Sequence, residues 1–139
     1  YDKHNIAAPK TKIRNPVSKA KLFLNGFSTA LSTIEIIKHY KPKYFAIENP
    51  YQSNIWKILE IFNFSPKHIL NRTMYSHYDE EFTNKPTIFL SNINLNLKWD
   101  KPEKNGKNLN RFSRKDRSNI PKSLIQEIIM KFENDSKLN

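Results

Sequence analysis

Cysteine is absent from the 139 residues. That excludes disulfides, a thiolate metal site and a cysteine nucleophile within this chain. Glycine is almost absent, with only Gly26 and Gly106 present. A glycine-rich loop that lets backbone N–H groups approach a phosphate needs several glycines at close spacing, so none is encoded here. Acidic residues are few beside basic ones, 13 against 24. No apolar run is long enough to span a bilayer. Residues 1–12 are polar and lack a signal-peptide pattern. His4, His39, His68 and His77 show no ligand spacing, so no metal site is expected. The simplest compartment is the cytoplasm, with no membrane partner.

What is present is positive charge, +11 net. Such a field favours a polyanion, because phosphate contacts release counterions. The richness in Lys, Asn and Ile is also what AT-biased coding produces on solvated surfaces. Charge alone therefore leaves a nucleic-acid partner and a plain basic surface both open. The 37% hydrophobic content suffices for one modest domain with one core.

Residues 1–25 are basic and broken by Pro9 and Pro16, which reads as an arm or linker; residues 26–139 form the domain. Phe27, Ala30, Leu31, Ile34 and Ile37 recur at helical spacing and predict a helix over 26–40, stopped before Pro42. Residues 44–47 are a short continuous apolar run between turn signals, as expected of a buried parallel strand. Glu48, Asn49 and Pro50 follow at its carboxyl end. Ile55, Ile58, Leu59 and Phe62 predict a second helix, and residues 68–75 and 87–93 two further strands. Residues 98–117 are polar, basic and Asn-rich, so they predict a long loop. Pro121 suits a first helical turn. Leu124, Ile125, Ile128, Ile129 and Phe132 give the last helix one apolar stripe. This order suits the second half of an α/β sheet, where ligand chemistry collects at the carboxyl ends of strands. Glu48 is therefore a candidate on position alone.

Three blocks carry a resemblance. The first is Phe45-Ala46-Ile47-Glu48-Asn49-Pro50. The second is Met74-Tyr75-Ser76-His77-Tyr78 with Lys85-Pro86-Thr87 and Asn92. The third is Arg117-Ser118-Asn119-Ile120-Pro121-Lys122-Ser123-Leu124. In this order, over residues 27–132, they resemble the cytosine-5 DNA methyltransferases, in the Glu-Asn-Pro form of phage-type members. The resemblance implies an α/β fold, the C-terminal half of a Rossmann-like S-adenosylmethionine-dependent methyltransferase sheet with flanking helices. It implies that the chain is part of a DNA methylation enzyme of the kind found in restriction-modification systems.

The resemblance also implies roles. In this family a thiolate adds to cytosine C6 and charge builds at N3, where the motif's Glu acts as an acid. Such a Glu must be partly desolvated to carry a proton at working pH. The base must leave the duplex to be reached. Glu48 is thereby implied as the catalytic acid, Asn49 as a brace of the turn, and Pro50 as the residue fixing its direction. Arg72, His77 and Lys85 are implied contacts to substrate or phosphate, although His77 stands where a Gln is expected. Asn119 is implied to close over the S-adenosylmethionine cofactor. The family's Pro-Cys nucleophile and glycine-rich cofactor loop have no counterpart here. Both, and the main cofactor pocket, are expected on a missing N-terminal methyltransferase half. Isolated, the chain is expected to be inactive, and to form a homodimer or a rearrangement that covers an exposed sheet edge.

Two other readings stay open. Asn49-Pro50-Tyr51 faintly resembles the Asn-Pro-Pro-Tyr motif of adenine-specific amino-methyltransferases, whose chemistry needs no Cys. A non-catalytic basic DNA-binding fragment is the other. Trp99, Arg111, Phe112, Arg114, Lys115 and Arg117 interleave aromatic and basic residues. That pattern suits contacts with double-stranded DNA phosphates or an unstacked base, and equally a solvated charged loop.

Overall fold

The structure, a computed structural model, describes residues 15–82, 84–100 and 118–138. Helix α1 spans Pro16–Tyr40, starting ten residues before the position that apolar periodicity predicts. The cause is local. The Asn15 side chain accepts from the Val17 N–H at 2.9 Å, and Pro16 occupies the first turn, a strong start signal independent of burial. Residues 15–26 are all exposed, so hydrophobic spacing carries no trace of them. The helix ends where Lys41 turns left-handed, with φ 46°, and its N–H closes on the Ile37 carbonyl at 2.9 Å. Pro42 then blocks continuation.

Strand β1 spans Ala46–Pro50, helix α2 Ile55–Ile61, strand β2 Ile69–Met74, strand β3 Pro86–Ser91 and helix α3 Lys122–Leu138. The sheet order is β1-β3-β2. Both pairings are antiparallel, with Glu48 opposite Phe89 and Asn71 opposite the same Phe89. This corrects the expectation of a buried parallel strand at 44–47. The strand lies two residues later, includes Glu48 to Pro50, and pairs with a neighbour of opposite direction. β3 follows β2 through the short connection 75–85 and reverses direction beside it, as a direct return requires. Pro50 is tolerated in β1 because that strand is an edge.

Side chains alternate across the sheet. Ile47 and Leu90 face α1 and α2, where Ala30, Ile34, Ile58, Leu59 and Phe64 complete one core. Phe89 faces the other way and joins Tyr75, Leu95, Leu124 and Ile128 in a second core under α3. The described residues are thus mixed α/β, with one small antiparallel sheet between helices. On α3 the buried stripe is narrower than periodicity predicts: Leu124 and Ile128 are buried and Phe132 is half-buried, whereas Ile125 and Ile129 are exposed.

The segment after β3 is pinned by two asparagines. Buried Asn71 donates to the carbonyls of Ile69, Phe89 and Ile93, and its Oδ1 accepts from the Leu95 N–H at 2.7 Å. Asn92 donates to the Lys43 carbonyl at 2.7 Å and accepts from the Phe45 N–H. Asn92 thus acts as a strap across the entry to β1. No described helix is long and apolar enough to cross a membrane.

Candidate functional site

Glu48 sits on the α3 side of β1, in register with Phe89 and Asn71. Its carboxylate Oε1 accepts a hydrogen bond from the Tyr75 hydroxyl at 2.9 Å. The Lys85 ammonium lies 3.4 Å from the same oxygen, as hydrogen-bond donor and ion pair. Lys85 also stands over the Tyr75 ring, 4.9 Å from its centroid. The three groups come from three places: β1, the turn after β2 and the residue before β3. Only the sheet brings them together. The Glu48 and Lys85 side chains are 28% and 16% exposed, so the pair is half-buried and still reachable from solvent.

Tyr75 is 1% exposed. Burial pushes its phenol well above the ordinary tyrosine range, and the Glu48 charge and hydrogen bond add to this; a hydrogen bond with Thr87 opposes them. It is a neutral donor at any physiological pH. Tyr78 is raised too, chiefly by burial, against a backbone hydrogen bond from Lys98. Tyr75 belongs to the tyrosine-rich block, yet its sequence offers no sign that its hydroxyl reaches across the sheet to Glu48. Burial of a phenol demands a partner, and Glu48, in the middle of β1, supplies one.

Comparisons of the chain with models of known families, with curated proteins and with solved structures find no match. The site therefore stands on its own geometry.

Asn49 lies on the opposite face from Glu48, because successive strand residues alternate. Its Oδ1 accepts from the Ser53 hydroxyl at 3.1 Å. Ser53 N–H in turn donates to the Pro50 carbonyl, which also accepts from the Trp56 indole at 3.0 Å. Asn49 and Pro50 thus organise the turn into α2, and the Asn49 side chain lies on the face away from the Glu48 carboxylate. Asn49 also borders a cleft of about 640 Å³ between α1 and α2, lined by Phe23, Gly26, Ser53 and Ile58.

The other sequence candidates are dispersed. Arg72, in register with Ile88 and Asn49, is on the α1–α2 face and lies over the Tyr51 ring. His77 approaches the Asp100 carbonyl at 3.4 Å. Asn119 is exposed on the approach to α3. Arg111, Arg114 and Arg117 lie outside the described residues. Among the described residues, no group of three His, Cys, Asp or Glu is placed to hold a metal ion.

Proposed function

We propose that this chain is the acid-bearing, base-binding part of a DNA cytosine-5 methyltransferase, and that its sheet is the C-terminal portion of a larger Rossmann-like sheet. The observation that carries the proposal is the Glu48 carboxylate. It is half-buried in an edge strand and fixed at Oε1 by Tyr75 and Lys85, while no described residue bonds Oε2. A carboxyl group anchored through one oxygen presents the other in a defined direction. It accepts from an exocyclic amine and, when protonated, donates to a ring nitrogen. Those are the two demands of the Watson–Crick edge of an extrahelical cytosine. The +11 charge suits a duplex DNA partner.

The sheet supports the larger assembly. β1 and β2 run in the same direction, are linked through α2, and have helices on both faces. The outer edge of β1 has no partner among the described residues. Its N–H and C=O groups ahead of Pro50 suit pairing with a further strand, and Pro50, which has no N–H, ends that pairing. The thiolate that attacks C6 must come from outside this chain, since no cysteine is present. Asn119 alone makes no site for S-adenosylmethionine: it is exposed before α3. On this proposal the donor's pocket belongs to the partner half that also carries the thiolate.

The test combines this chain with the polypeptide encoded immediately upstream, reading cofactor binding by calorimetry and 5-methylcytosine in the DNA. Binding and methylation are expected only in the mixture. Glu48→Gln should lower turnover about 100-fold or more with cofactor binding kept. Turnover equal to the unmodified chain's would remove the role given to Glu48.

A further inference from the structure

We propose that Tyr51, Trp99 and Arg72 form a stacking platform for an unpaired nucleobase of a nucleic-acid strand, on the face of the sheet opposite Glu48. The Tyr51 and Trp99 rings stack with centroids 5.9 Å apart and planes 20° from parallel. The Arg72 guanidinium carbon lies 5.2 Å from the Tyr51 centroid. Tyr51 is 38% exposed and Trp99 39%, and Arg72 is exposed as well. Large aromatic rings in water cost hydration free energy. Here two share a flank and keep much of their remaining surface open.

The platform is preorganised from three directions. Tyr51 extends the β1 ladder by donating its N–H to the Pro86 carbonyl at 3.0 Å. Trp99 follows Lys98, whose carbonyl accepts from the Met74 N–H and the Thr73 hydroxyl and so ties it to the end of β2. Arg72 projects from β2 itself. Rings held this way lose little freedom when a ligand arrives, which lowers the cost of binding.

The chemistry selects the ligand. Aromatic faces accept any nucleobase by stacking, at about 1–3 kcal/mol per base, and a nearby guanidinium adds cation–π attraction and a phosphate contact. Arg72 disfavours a cationic ligand such as a methylammonium group, and the +11 net charge disfavours a basic peptide. A strand of nucleic acid satisfies both the rings and the charge. The platform deepens the DNA-binding side of the proposed function but depends neither on Glu48 nor on methyl transfer.

The experiment uses the full chain with Trp56→Phe, which leaves Trp99 as the only tryptophan. Oligothymidylate and an abasic strand of equal length, about 12 nucleotides, are titrated at one salt concentration. Saturable quenching of Trp99 by oligothymidylate is expected, with affinity about tenfold above the abasic strand. Equal affinity for the two strands, or binding without quenching, would overturn the platform and leave charge alone. Because Trp56 bonds the Pro50 carbonyl, a second arm keeps Trp56. There, anisotropy of labelled strands compares Trp99→Ala and Tyr51→Ala with the unmodified chain. Each should reduce oligothymidylate binding to the abasic level; unchanged binding would also overturn the inference. Oligothymidylate contains no cytosine, so this result is read independently of the pocket proposed at Glu48.

Discussion

The two faces of the sheet differ in what they bury. Toward α1 and α2 the buried residues are Ala30, Ile34, Ile58, Leu59, Phe64 and Leu90, an apolar core. Toward α3 the same strands bury Asn71, Thr73, Thr87 and Ser91 beside Phe89 and Tyr75. All four buried polar residues among those described share the face that carries Glu48. Each has its hydrogen bonds: Asn71 through four, Thr73 to the Lys98 carbonyl, Thr87 to the Lys85 carbonyl, and Ser91 from the Ile93 N–H. No buried side-chain polar atom described is left without a partner. An apolar core tolerates repacking as long as volume is kept. A polar core is held by directions, and losing one partner strands another. The face that carries Glu48 is the one built with directional bonds.

That contrast can be broken by matched substitutions. Leu59→Ala, on the apolar side, should cost about 3 kcal/mol through lost burial and the cavity left behind. Asn71→Ala should cost about 2–3 kcal/mol because four backbone partners lose their bonds. Urea denaturation measures both. The sharper outcome concerns replacement by a larger apolar group. Leu59→Met should recover most of the first loss, whereas Asn71→Leu should recover little of the second. Equal recovery at both positions would erase the distinction between the faces.

Tyr75→Phe is the next largest. It removes the hydroxyl from Glu48 and should cost about 1 kcal/mol at neutral pH. Its pH dependence is more diagnostic. The ordinary tyrosine pKa is about 10, and that of Tyr75 in the folded chain lies well above it. Below about pH 10 both folded and unfolded states hold the proton, and no stability is lost on this account. As pH rises further the unfolded chain releases its proton while the folded chain keeps it, so stability falls. Thermal melts above about pH 10 should therefore decline less steeply for Tyr75→Phe than for the unmodified chain. Parallel declines would mean that the phenol is not buried against Glu48.

The smallest effect is expected from Glu48→Gln. The Glu48–Lys85 pair is only half-buried, and such pairs contribute at most about 1 kcal/mol. Its loss should shift the denaturation midpoint slightly, and less so at high salt. An effect that small would fit the binding role proposed for Glu48. A loss as large as that of Asn71→Ala would instead make Glu48 a structural residue.

Several elements were legible in the sequence because their signals are local. Periodicity marks the second half of α1, α2 and α3, and Pro42 and Pro121 mark the end of the first and the start of the last. The strand containing Thr87 to Leu90 is apolar enough to be recognised directly. Glu48 was singled out by its place at the end of an apolar run. The start of α1 leaves no trace in apolar spacing because its first residues bury nothing, and its local sign is the Asn15-Pro16 cap. The direction of the strands is hidden for a different reason. An apolar run states that a segment is buried, not which neighbour covers it.

Sequence alone therefore determined the charge, the lack of a thiol, the helical segments and the polar residue types available at the strand ends. These follow from residue identity and short-range periodicity. Tertiary structure decided that β3 inserts antiparallel between β1 and β2. That insertion puts Tyr75 and Lys85 on one oxygen of Glu48, sends Asn49 and Arg72 to the opposite face, and stacks Tyr51 on Trp99. The reason is register: one-residue alternation across a strand assigns each side chain to a face only once its pairing partner is fixed.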